Sequence, residues 1–136
     1  QVTSLTLVNA DTDMDIQPLI NGSTLNLATL ATRNLNVRAN TNPATVGSVR
    51  FDYDGIVNYN MDSTAPYALG GDTAGNYAPW TPTVGSHIVT TTPFTGSGGS
   101  GTAGTPLTVN FSVTDTAPSP SPSDPPPTLS NSSPSG

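Results

Sequence analysis

From Leu107 to Val113 the chain reads Leu-Thr-Val-Asn-Phe-Ser-Val, with apolar and polar side chains in strict alternation. A period of two puts every apolar side chain on one face of an extended strand. A helix repeats every ~3.6 residues and would scatter the same side chains around its surface. The pattern recurs in Leu35-Asn-Val37-Arg-Ala39-Asn and in Val49-Arg-Phe51-Asp-Tyr53-Asp. Leu5 and Leu7 carry it near the start, and Ile88 begins a Thr-rich run to Phe94. Threonine is β-branched and favours strands.

Turn-forming residues separate these runs: Asn21-Gly22, Thr41-Asn42-Pro43, Asp54-Gly55, Gly70-Gly71-Asp72 and the glycine-serine stretch from Gly96 to Gly101. Asp54-Gly55 between two strand-like runs predicts a tight hairpin. No capped amphipathic helix is legible. Seven or eight short strands at this spacing predict an all-β, antiparallel sandwich over residues 1–115. Residues 116–136 hold seven prolines, seven serines and one large apolar side chain, Leu129. That composition predicts an extended, polyproline-II-like tail or linker with no core of its own.

Charge narrows the class of partner. The chain has no Lys, no Glu and no Cys; Arg33, Arg38 and Arg50 face nine Asp, for a net charge of −6. Phosphate neutralisation needs clustered cations, so nucleic acid is excluded as a partner. An anionic membrane surface is excluded on the same ground, and no apolar run is long enough to insert in a membrane. A Lys-free surface rich in Thr, Ser, Asn and Gly suits a secreted or cell-surface setting. The start has no basic and apolar leader pattern, so any signal peptide is expected to have been removed. Without cysteine there is neither a disulfide scaffold nor a thiolate metal site.

Five stretches in fixed order carry a resemblance. They are SVRFDYDG ending at Gly55, STAPY ending at Tyr67, Trp80, GSHIVTTTPF from Gly85, and LTVNFSV from Leu107. Together they resemble a bacterial immunoglobulin-like (Ig-like) domain, over roughly residues 45–115. The resemblance implies an Ig-like sandwich, spacer, adhesive or assembly roles, and no shared catalytic site. It also implies that Trp80 and Tyr67 belong to the core. The chain departs from the pattern by inserting GGDTAGNYAP, Gly70 to Pro79, between Tyr67 and Trp80.

Candidate chemistry is sparse. Asp52 shares a strand face with Arg50 and Asp54, which predicts a solvated ion pair rather than a glycosidase pair. Asp11, Asp13 and Asp15 suggest a loop-type calcium site, because calcium takes several hard oxygens. The helix-loop-helix calcium pattern fails, since Ile16 and Gly22 stand where Gly and an acid are required. Asp72 is a lesser calcium candidate. No other cofactor is expected. His87, the one histidine, is expected to be structural. Tyr59, Tyr77 and Trp80 are candidates for stacking on sugar rings, with Tyr53, Tyr59 and Tyr77 expected on the surface.

Asn21, Asn110 and Asn131 each begin an Asn-x-Ser pattern for N-glycosylation. Ser119, Ser121, Ser123 and Thr128 are candidates for O-linked sugars on the tail. These features suggest a glycosylated structural subunit of an extracellular fibril or surface assembly, with other copies of the chain as partners. The expected contacts are sheet edges, a donated strand carrying Val2, Leu5 and Leu7, and the tail around Leu129. The alternative is a carbohydrate-binding or adhesive accessory module of a larger secreted protein. Neither reading makes the chain an enzyme.

Overall fold

In the computed structural model, residues 1–117 are described. Their strands are β1 (Val2–Asn9), β2 (Met14–Leu19), β3 (Ser23–Asn26), β4 (Leu35–Thr41), β5 (Ser48–Tyr53) and β6 (Ile56–Asp62). Then follow β7 (Tyr67–Ala68), β8 (Asp72–Thr73), β9 (Asn76–Tyr77), β10 (Gly85–Phe94) and β11 (Leu107–Thr114). The alternating runs become strands because each can bury one face. In β11, Val109, Phe111 and Val113 are buried while Thr108 and Asn110 stay exposed.

Nine strands form two sheets, in the orders β2-β1-β4-β7 and β3-β11-β10-β5-β6; β8 and β9 make a separate hairpin. Leu5, Leu7, Leu35 and Val37 of the first sheet pack against Val49, Phe51, Val89 and Val113 of the second. Each such fully buried side chain contributes about 2 kcal/mol relative to exposure. The architecture is the expected Ig-like sandwich. Asp54 (φ 50°) and Gly55 (φ 83°) form its β5–β6 turn, and Tyr53 pairs with Ile56 across it. Positive φ at both central residues matches the twist of the flanking strands.

Two expectations are corrected. The sandwich is not wholly antiparallel: β3 runs parallel to β11, with Phe111 opposite Ser23 and Thr114 opposite Asn26. β3 reaches its place by a turn that switches sheets after β2, so no hairpin forces it to oppose β11. The strand count also exceeds seven or eight. β7, β8 and β9 span two residues each and are too short to show a period.

The insertion Gly70–Pro79 accounts for the largest departure. It folds as the β8–β9 hairpin over the outer face of the first sheet. There Tyr77 packs with Val8, Ala10 and Ala68 in a second small core. Arg38 and Asn36, also on that outer face, are held beneath and beside it.

Gln1 and Asp115 lie at opposite ends of the sandwich. The amine of Gln1 donates to the carbonyl of Asn42. The far end of β1 meets Asn34, and the adjoining Arg33 grips Asp115 just after β11. An eight-residue strand such as β1 spans about 27 Å between these ends.

Candidate functional site

The richest side-chain cluster lies toward the Asp115 end, where β5 and β10 bring Tyr53 and His87 together. Their rings stack at 5.4 Å, and His87 stacks in turn on Phe111 at 5.3 Å. His87 Nε2 lies 2.6 Å from the carbonyl oxygen of Thr83. A carbonyl only accepts, so Nε2 carries a proton. Nδ1 faces the Tyr53 hydroxyl at 2.9 Å and Asp54 Oδ2 at 2.6 Å. In the neutral ring Nδ1 accepts from the Tyr53 hydroxyl; in the charged ring it donates to Asp54. Asp54 Oδ1 also accepts from the backbone N–H of Ile88 at 2.9 Å, which ties the β5–β6 turn to β10. Burial pushes the Tyr53 phenol well above its usual range, and the charge of Asp54 adds to the shift. His87 is 7% exposed, so the cluster presents no reactive nitrogen to a substrate and acts as a structural pin.

Two more rings flank Tyr53 from outside. Tyr59 of β6 lies 5.3 Å away, tilted, and is 41% exposed. Trp80 lies 5.6 Å away, edge-on, with its backbone bridged to Leu35 and its side chain half-buried against the core. Two of the three expected sugar-stacking residues, Tyr59 and Trp80, therefore flank one buried ring. The third does not join them. Tyr77, expected on the surface, is 5% exposed beneath the β8–β9 hairpin, because the hairpin folds back on Val8. Tyr53 is likewise buried rather than exposed, since alternation directs it inward with Val49 and Phe51. Tyr67 is core; its hydroxyl donates to the carbonyl of Val46 at 2.7 Å and accepts from its N–H at 2.9 Å.

The expected calcium ligands do not converge. Asp11 accepts from Thr32 and Asn34, Asp13 from the backbone N–H of Tyr77, and Asp15 from both terminal nitrogens of Arg38. Each carboxylate is committed to a different protein donor, so the triad is corrected to three separate turn and strand contacts. Among the described residues no group of three acidic, His or Cys side chains could hold a metal ion. Hydrogen bonds from Thr32 and from Arg38 hold Asp11 and Asp15 below the usual carboxylate value. Asp72 stands instead beside Asp62, whose carboxyl is raised first by burial and then by that neighbour, while the N–H groups of Ala68 and Thr64 work against the shift. Asp52 makes the expected same-face pair with Arg50 at 3.0 Å, but Asp54 has left that face for His87.

Asn21 and Asn110 are both exposed and adjacent: the N–H of Asn110 donates to Asn21 Oδ1 at 2.8 Å. Val2, Leu5 and Leu7 are buried, and β1 is flanked on both sides by β2 and β4 of its own chain. The expected donor strand is thus an interior strand of its own sheet, corrected because its apolar face is already spent on its own core. Ser119, Ser121, Ser123, Thr128, Leu129 and Asn131 lie outside the described residues.

At the Gln1 end, a groove of about 380 Å³ is lined by Pro43, Val46, Pro93, Phe94 and Ala103, with Gln1 and three threonines completing the wall. No sequence signal pointed to it, because its walls come from the β4–β5 connection, the end of β10 and the loop that follows β10.

No protein-family model matches the chain, and no curated protein sequence does so either. Among solved structures, the chain is similar to a fibronectin(III)-like module of Clostridium thermocellum CbhA. The two are 22% identical with a TM-score of 0.43, over 72% of this chain and 91% of that one.

Proposed function

We propose that the chain is a non-catalytic accessory module of a larger secreted or cell-surface protein, a bacterial Ig-like domain set in line between its neighbours. One observation carries this reading: Gln1 and Asp115 lie at opposite ends of the sandwich, each tied to its own end by hydrogen bonds. A module joined in this way adds its own length to the separation of whatever flanks it. The acidic, Lys-free surface supports the extracellular setting. Among the described residues no helix is long and apolar enough to cross a membrane. The test places the module between two fluorescent reporter domains in one chain. Energy transfer is expected to report a separation increased by about the 27 Å of a strand. A separation no greater than that given by a short flexible linker would sink the reading.

Exposed Tyr59 and half-buried Trp80, each packed against Tyr53, favour a second role, contact with polysaccharide. The C–H groups of a sugar ring carry slight positive charge and meet the negative face of an aromatic ring. Trp80 is the one tryptophan, so its emission reports the contact directly. Titration with cellulose, xylan and chitin oligosaccharides is expected to shift the emission for at least one, and Tyr59→Ala to remove the shift. If no sugar moves the emission, the binding role is rejected and the in-line role stands. Strand donation between copies has lost its support, since β1 and β11 are both interior strands.

A further inference from the structure

We propose that the Pro/Ser-rich segment 118–136 of one copy docks in the groove between Pro43 and Phe94 of the next copy. The inference rests on the in-line reading and names the partner of its Gln1 end.

The groove has the chemistry for such a segment. Pro43, Val46, Pro93, Phe94 and Ala103 give it apolar walls; Thr45, Thr95, Thr102 and Gln1, whose amine donates to Asn42, add polar edges, and no Asp or Arg lines it. Proline-rich chains dock in grooves of this kind because their extended helix is already formed and little entropy is lost. The segment itself carries one charge, Asp124, and one large apolar side chain, Leu129. The groove is also rigid. A Cβ on Gly104 would lie 2.9 Å from Pro93 Cγ, and one on Gly47 would overlap the backbone of Thr95. Bare backbone packed this closely fixes the walls before any ligand arrives, which lowers the cost of binding.

Position selects the occupant. The segment begins at a fixed point: both terminal nitrogens of Arg33 hold Asp115, and Asn26 exchanges two hydrogen bonds with Thr116. That point lies at the end of the sandwich opposite the groove, and β11 runs away from the groove toward it. A docked segment in the same copy must reverse direction at the clamp and retrace the whole module. Proline-rich chains resist such reversal over several residues. A following copy set in line presents its Gln1 end, and with it the groove, in the direction in which the chain already leaves. Nineteen residues extended as polyproline II reach about 60 Å, ample for the gap and for the length of the groove.

The test is sedimentation of the full chain up to millimolar concentration, beside a chain ending at Ala117 and the variants Ala103→Arg and Leu129→Asp. Position 103 is exposed on the groove wall, so Ala103→Arg leaves the core untouched. Elongated oligomers are expected for the full chain only. Ala103→Arg and Leu129→Asp are each expected to weaken association about ten-fold. A full chain that stays monomeric, or association indifferent to the truncation or to both variants, overturns the proposal. So does protection of residues 118–136 from proteolysis in a monomer, which would assign the groove to the same copy. Spin labels on Gln1→Cys and Ala117→Cys measure the end-to-end distance of one copy separately. A long distance without association rejects the docking and keeps the in-line reading; a short distance rejects that reading itself.

Discussion

Asn36 Oδ1 accepts a 2.8 Å hydrogen bond from the backbone N–H of Gly70, although Asn36 stands on a polar position of an alternating strand. Its amide nitrogen donates to the carbonyls of Gly71 and Ala78. One fully buried amide thereby fastens both ends of the inserted hairpin to β4. Asn36→Ala leaves these backbone groups without partners and is expected to cost about 2 to 4 kcal/mol. Urea unfolding followed by Trp80 emission measures it. An unchanged midpoint would mean that the hairpin holds itself in place through Tyr77.

Two glycines fail for different reasons when replaced. Gly70→Ala brings a Cβ to 2.9 Å from Trp80 Cβ and 3.0 Å from Asn36 Nδ2, so the hairpin must shift. Gly55→Ala meets nothing within 4 Å, but φ is 83° there. Strain at Gly55→Ala is expected to cost about 1 to 2 kcal/mol, and Gly55→Asn less, because Asn tolerates the left-handed region. Gly70→Asn gains no such relief. Thermal unfolding of the four variants separates strain from clash.

The pin at His87 predicts a graded loss. Tyr53→Phe removes the hydroxyl that faces Nδ1 and is expected to cost about 1 kcal/mol. His87→Ala also removes the stacked ring between Tyr53 and Phe111 and leaves a cavity, for about 2 to 4 kcal/mol. Equal losses in the two variants would show that the hydroxyl contact, not the ring, carries the pin.

Acid acts through opposing groups. Asp11, Asp15 and Asp115 are lowered by hydrogen bonds from Thr32, Arg38 and Arg33 respectively. Their contribution is complete above the ordinary carboxylate value of 3.8 and is lost as pH falls through their folded values. Asp62 is raised, so its contribution runs the other way: complete below that value, lost as pH rises through its own folded value. Asp72→Asn removes the like charge beside Asp62 and is expected to raise the melting temperature at pH 7 while leaving it unchanged at pH 3. Melting curves across that range check the crossover, and no gain at pH 7 would refute the repulsion.

The sandwich was legible because its inner strands alternate, and alternation has one physical cause: one face is buried. Leu35, Val37, Val49, Phe51, Val109 and Phe111 all follow it. The outer face of the first sheet was illegible for the same reason. Val8 and Asn36 sit where alternation assigns solvent, and only the inserted hairpin, a distant segment, buries them. Tyr77 was misplaced by the same omission. Trp80 and Tyr59 were recognisable as aromatics, but their convergence on Tyr53 depends on three elements meeting. The Asp triad misled because spacing alone cannot show that Thr32, Arg38 and Tyr77 claim its members one by one.

The opposed ends of the sandwich also decide how the molecule would bear tension. Pulled between Gln1 and Ala117, β1 and β11 are drawn in opposite senses along their own axes. The ladders joining β1 to β4 and β11 to β10 then lie across the load, and their hydrogen bonds must slide together rather than unzip in turn. With Arg33 bracing Asp115 at one grip and Asn42 bonded to Gln1 at the other, the load meets both ladders in shear.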